Sequence, residues 1–152
     1  MTNLEALLAG AHILAILSLV VFLSSQAALC RMEWLNAAVV RRLARLDAIY
    51  GATALAVLAT GLARAFWGFK GGAWYWGQPL LHAKLGLFIV IGLLSIQPTL
   101  RFRRWVKPLD ASGVLPDEAE VKSTRARIML QAHLLMLIPI AAVMLARGIG
   151  TR

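Results

Sequence analysis

The chain is 152 residues long, 60% hydrophobic and only 15% charged, with a mean hydropathy of +0.73. Ordinary soluble domains are less apolar and about a quarter charged, so an ordinary water-soluble globule is excluded. A formal charge of +9 would suggest nucleic acid in a soluble protein. Here the Arg and Lys residues gather in two loops between apolar segments, so a membrane topology signal is expected and a nucleic-acid partner is not.

Four apolar runs of roughly membrane-spanning length predict an all-α, polytopic four-helix bundle occupying residues 1–152 as one domain. Span 1 is expected over about 4–29, carrying His12 and ending near Ser24, Ser25 and Gln26. The start Met1-Thr2-Asn3-Leu4-Glu5 lacks the positive charge of a cleavable leader, so span 1 is expected to be retained. The stretch from Cys30 to Arg45 holds Arg31, Trp34, Arg41 and Arg42 and reads as a short amphipathic continuation. Cys30 is the sole cysteine, so no internal disulfide forms.

Span 2 is expected over about 46–66 and is rich in small residues (Gly51, Ala52, Ala54, Ala56, Ala59, Gly61 and Ala63), which place it centrally in the bundle. Asp47 and Tyr50 at its start read as a helix cap and an interface anchor. The Gly-rich connection to span 3 carries Trp67, Trp74, Tyr75 and Trp76, suited to a membrane–water interface. Span 3 is expected over about 80–96, with Gln97-Pro98 marking its end, followed by a long polar loop from Thr99 to Thr124. Span 4 is expected over about 125–146 with His133 and Pro139 inside it.

The loop with Arg31, Arg41, Arg42 and Arg45 and the segment from Arg101 to Arg127 are basic; the connection between spans 2 and 3 offers only Lys70, and the end of the chain offers Arg147 and Arg152. The positive-inside rule then puts both basic regions in the cytoplasm and both termini outside.

Depth along each span follows from a rise of about 1.5 Å per residue. It puts His12, Arg64 and His82 in one outer-leaflet layer, the two histidines differing by on the order of 5 Å, with His133 deeper. Helical spacing aligns His82, Gly86, Ile89 and Leu93 on one face, and Glu5, Ala9, His12, Ile16 and Leu19 on another. Gly86, one turn below His82, leaves room for a flat ring, while Lys84 points elsewhere and snorkels to the surface. Two histidines on separate helices, a glycine gap and an arginine suited to carboxylates describe a b-type haem pocket, with His12 and His82 as axial ligands and Arg64 at a propionate. Each histidine alone is equally explained by a hydrogen bond between helices. Met129, Met136 and Met144 fall on the side of His133, an arrangement read either as soft-metal ligation or as plain packing.

Several stretches carry a resemblance: Arg45-Leu46-Asp47-x-x-Tyr50-Gly51, Ala59-Thr60-Gly61-Leu62-x-Arg64, Lys84-x-x-Leu87-Phe88, Leu94-Ser95-Ile96-x-Pro98-Thr99 and Ala146-Arg147-Gly148-Ile149-Gly150. Together they resemble an uncharacterised family of small four-helix bacterial inner-membrane proteins, over nearly the whole chain. More distantly, Ala11-His12-Ile13 and Leu81-His82-Ala83-Lys84-Leu85 are similar to signatures of the HemJ-type protoporphyrinogen oxidases, which bind b-type haem and group with copper-resistance D proteins. Where that pattern has Tyr-His near the end of its third helix, this chain reads Leu94-Ser95, and its Asn-Glu-x-Pro element has no counterpart.

The expectation is an inner-membrane haem b protein engaged in electron transfer or HemJ-like porphyrinogen oxidation, with quinone or porphyrin as partner and a tendency to homo-oligomerise. Two further classes stay open: a copper-handling protein using His133 and the methionines, and a cofactor-free structural or lipid-binding protein.

Overall fold

An asparagine and an aspartate decide where two of the long helices begin. Asn36 Oδ1 accepts the backbone N–H of Val39 at 3.0 Å, and Asp117 Oδ1 accepts that of Glu120 at 2.8 Å. Each satisfies an amide that the first turn of a helix leaves without a partner. The computed structural model describes residues 3–67 and 71–148, and every regular element among them is helical. Lys70, Ile149, Gly150 and Arg152 lie outside the described residues, as do Met1 and Thr2.

In chain order the helices are α1 (Asn3–Leu29), α2 (Ala37–Trp67), the five-residue α3 (Gly72–Trp76), α4 (Pro79–Ser112) and α5 (Glu118–Ala146), with a single 3₁₀ turn at Met32–Trp34. α4 opens with Pro79 in its first turn, where a missing N–H costs nothing. It closes on Gly113, whose φ of 70° only glycine adopts freely and whose N–H returns to Leu109 O at 2.9 Å. α1, α2, α4 and α5 are each long and apolar enough to cross a membrane. They are the four expected spans.

Three boundaries differ from expectation. α2 starts at Ala37 rather than near residue 46, because Asn36 caps it and the arginine-bearing segment runs straight into the span. α4 does not stop at Pro98. It continues through that buried proline and through Pro108 to Ser112. α5 starts at Glu118, so only the short connection at Gly113–Asp117 remains of the expected polar loop. Helix therefore continues past the apolar segments at the basic end, in α2, α4 and α5.

The long helices form a ring. α1 packs along α2, α2 along α4, α4 along α5, and α5 returns to α1. α1 and α4 sit diagonally, without extensive contact. The core is uneven along this ring. Leu23, Cys30, Val40, Leu43, Phe102, Trp105, Val121 and Ile128 are buried together toward the basic end. Toward the opposite end, α1 buries nothing before Leu19 and α5 nothing described after Leu135.

Ion pairs reinforce the basic end. Glu120 accepts from Trp105 Nε1 at 2.8 Å and pairs with Arg104 and, at 3.8 Å, with Arg101. Arg125 reaches the carbonyl of Ala27 at 3.3 Å, tying α5 to α1. Cys30 is fully enclosed here, and burial pushes its thiol up to about 11.

Candidate functional site

Thr60 sits inside α2, and its hydroxyl donates to the carbonyl of Ala56 at 2.6 Å. The same oxygen lies 2.8 Å from His12 Nδ1 on α1. With its one hydrogen spent on the helix backbone, Thr60 accepts from the histidine, so Nδ1 carries the proton. A neutral imidazole of that tautomer holds its lone pair on Nε2. Gly61 makes the approach possible: a Cβ there would lie 3.1 Å from His12 Cε1. The ring is thus seated against α2 and Gly61, and its orientation is set by Thr60.

Two cations accompany it. Arg64 and Lys84 both lie within coulombic reach of His12, and of each other. Lys84 is partly buried and belongs to the face of α4 that runs through Leu81, Phe88 and Ile91 toward the interior. Glu5, about 10 Å further along α1, is the sole described carboxylate at this end of the bundle. The surroundings of His12 are therefore electropositive.

His82 is elsewhere. The stripe His82, Gly86, Ile89 and Leu93 is exposed along its whole length, on the outer surface of α4. A Cβ on Gly86 would meet open space, so the glycine lies on the outer surface beside His82 and away from His12. The Nδ1 of His82 donates to Gln78 O at 3.0 Å, and its ring meets Trp76 edge-on at 6.2 Å. The structure thus brings His12, Arg64 and Lys84 together and leaves His82 and Gly86 outside that group. Lys84, expected to snorkel away, is the member of the pair that turns inward. His133 is exposed on α5, its Nδ1 bonded to Met129 O at 2.6 Å, with Met136 also exposed. Among the described residues no three His, Cys, Asp or Glu side chains stand close enough to hold a metal ion.

A second polar group was not foreseen. Asp47 and Tyr50 are neither cap nor interface anchor. Both are buried, a full helix segment in from the Asn36 cap. Tyr50 Oη donates to Gln131 Oε1 on α5 at 3.1 Å, and Asp47 faces Gln26 of α1 and Thr99 of α4. Gln26, Asp47, Thr99 and Gln131 thus form a polar layer contributed by four helices. Gln26 is buried beside the Asp47 carboxylate. At the opposite end, Gln78 is buried and its Oε1 has no hydrogen-bond partner among the described residues. The available signal was one polar residue per apolar segment at matched depth.

These features define a multi-pass membrane protein of four long helices, with a cationic histidine site at one end and a polar layer toward the other. The chain belongs to the predicted membrane protein family DUF2214, whose family model matches residues 4–150. No curated protein and no solved structure matches it.

Proposed function

We propose that this protein binds a b-type haem in the half of its bundle away from the basic end, with His12 as the iron ligand. The observation that carries the reading is the chain from His12 to Thr60 to the Ala56 carbonyl. It holds the imidazole in the tautomer whose Nε2 is free to ligate, the arrangement in which metal-bound histidines are commonly oriented. Lys84 and Arg64 supply positive charge for the two propionates. The sparse packing of α1 and α5 at this end is compatible with a bulky flat ligand. When bound, the haem would supply one-electron chemistry, with a quinone or porphyrin as electron partner.

His82 does not fit as a second ligand in the same interior, because its face of α4 points outward. The reading also places the basic end in the cytoplasm of a bacterial inner membrane, by the positive-inside rule, and allows for a homo-oligomer.

The test is an absorption spectrum of protein extracted from haem-replete cells. Wild-type protein should show a Soret band, His12→Ala should lose it, and His82→Ala should keep it. Thr60→Val, which removes the acceptor for His12, should shift or weaken the band. A colourless wild-type protein, or a band untouched by His12→Ala, refutes the reading.

A further inference from the structure

We propose that the seam between α2 and α4 at the basic end binds the headgroup of an anionic phospholipid, with an acyl chain lying along the apolar surface above it. The seam is located by one ion pair: Arg41 Nη2 on α2 donates to Asp110 Oδ1 on α4 at 2.8 Å. Arg45 stands one turn along α2 from Arg41, on the same side. Lys107 and Arg103 stand one and two turns along α4 from Asp110. The helices run in opposite directions, so Arg45 comes roughly level with Lys107, and Arg103 lies about one turn further in, near the level of Asp47. Arg103 also lies within coulombic reach of Asp47, buried on α2, which puts it near this junction.

Four cations therefore gather around two carboxylates, Asp110 and Asp47. Elsewhere at this end some cations are paired, while Arg31, Arg42 and Arg127 have no ion-pair partner among the described residues, so charge alone does not single out the seam. Glu120 engages Arg101 and Arg104, and Glu118 engages Lys122. Arg45 and Lys107 have no hydrogen-bond or ion-pair partner among the described residues, and both are exposed.

What adjoins these cations distinguishes the seam from a merely solvated basic face. Continuing up α2 on the Arg45 side come Ala48 and Ala52, small and exposed. Continuing up α4 on the Arg103 side come Leu100, 62% exposed, and Ile96, 52% exposed. Two small and two long apolar residues, all exposed, thus make an uneven apolar surface that starts directly above the cations. A phosphodiester at the cations with a hydrocarbon chain above them satisfies both parts of the surface, whereas a soluble anion satisfies only one. Basic clusters beside membrane helices bind anionic headgroups with an energy that corresponds to about fivefold in affinity per cation.

The test uses the full-length protein in detergent, incubated with phosphatidylglycerol or phosphatidylcholine and read by native mass spectrometry. Phosphatidylglycerol should be retained in preference. Arg45→Gln combined with Arg103→Gln should weaken that retention by about 25-fold, and Lys107→Gln alone by about fivefold. The control, Arg31→Gln with Arg127→Gln, removes the same charge from exposed positions off the seam and should change retention by less than about twofold. Equal retention of phosphatidylcholine, or an equal loss in the control, overturns the proposal. So does displacement of the lipid by glycerol phosphate at equal concentration, which would make the seam a site for soluble anions.

Discussion

The bond between Tyr50 and Gln131 offers a sharp test of the packing, because both partners are buried. Tyr50 is 4% exposed and Gln131 only 1%, and Tyr50 Oη lies 3.1 Å from Gln131 Oε1. The amide's other end donates to Arg127 O at 3.4 Å, which fixes Oε1 as the atom facing the tyrosine. Tyr50→Phe keeps the ring and deletes only the donor, leaving Oε1 buried without its partner. In a water-soluble protein that orphaned acceptor would cost about 1–3 kcal/mol. Between membrane helices the measured coupling averages about 0.6 kcal/mol and reaches about 1.7, because the unfolded chain in the membrane finds other partners. The expected loss for Tyr50→Phe is therefore about 0.6–1.7 kcal/mol. Gln131→Leu should cost a similar amount, since it orphans the tyrosine hydroxyl instead. The double variant removes both polar groups and should be more stable than the sum of the two losses implies, by that same coupling energy. Reversible unfolding in mixed micelles measures all four corners of the cycle. Strict additivity, within about 0.3 kcal/mol, would refute the bond that joins α2 to α5 across the middle of the ring.

Glu120→Ala removes the acceptor shared by Trp105, Arg104 and Arg101 and should destabilise the protein by about 1.5–3 kcal/mol. Arg41→Ala breaks a pair exposed on both sides and should cost less than about 1 kcal/mol in the same unfolding assay. Cys30, its thiol raised from 9.0 to about 11, should resist maleimide at pH 8 in folded protein and react once the protein is unfolded. Because the folded state holds that proton more tightly, its contribution is complete below pH 9 and is lost as pH rises toward 11, which a pH series of unfolding curves would display. A protease of broad specificity acting on the detergent-solubilised protein should cut within 113–117 and spare 99–112 and 118–124, because the latter are helical.

Four membrane helices were legible because apolar length is a direct reading of bilayer thickness. Their ends were not, and the reason is specific. An apolar run marks where a helix enters lipid, whereas Asn36 and Asp117 mark where its hydrogen bonding begins. Placing the start of α2 at its apolar edge put Asp47 and Tyr50 at a terminus and turned two buried residues into a cap and an anchor. Pro98 misled in the same way: it lacks an N–H but does not end a membrane helix whose neighbours pack around it. Within α4 the spacing grouped His82 with Gly86, Ile89 and Leu93 correctly. Which stripe faces inward was beyond its reach, because lipid is as apolar as a protein core and both faces of α4 read alike. The pairing of His12 with Thr60 was hidden because helical spacing within one segment says nothing of the neighbour it meets.

The uneven packing along the bundle bears on how a site in the membrane is kept available. Hydrophobic burial cannot hold helices together against lipid, so shape, hydrogen bonds and ion pairs must. This chain concentrates all three toward the basic end: Phe102, Trp105 and Ile128 in close packing, the Glu120 network, the Arg125–Ala27 tie and the polar layer around Asp47. The ring is thereby closed without help from the other end. There His12 needs only Gly61 and Thr60 to hold its place, and Lys84 and Arg64 can face it without a carboxylate to neutralise them. Two cations within coulombic reach of each other oppose assembly of that end, and the cost is tolerable because the bundle is secured elsewhere. An anionic ligand would relieve it. That makes the loosely packed half the place where binding can add the most stability.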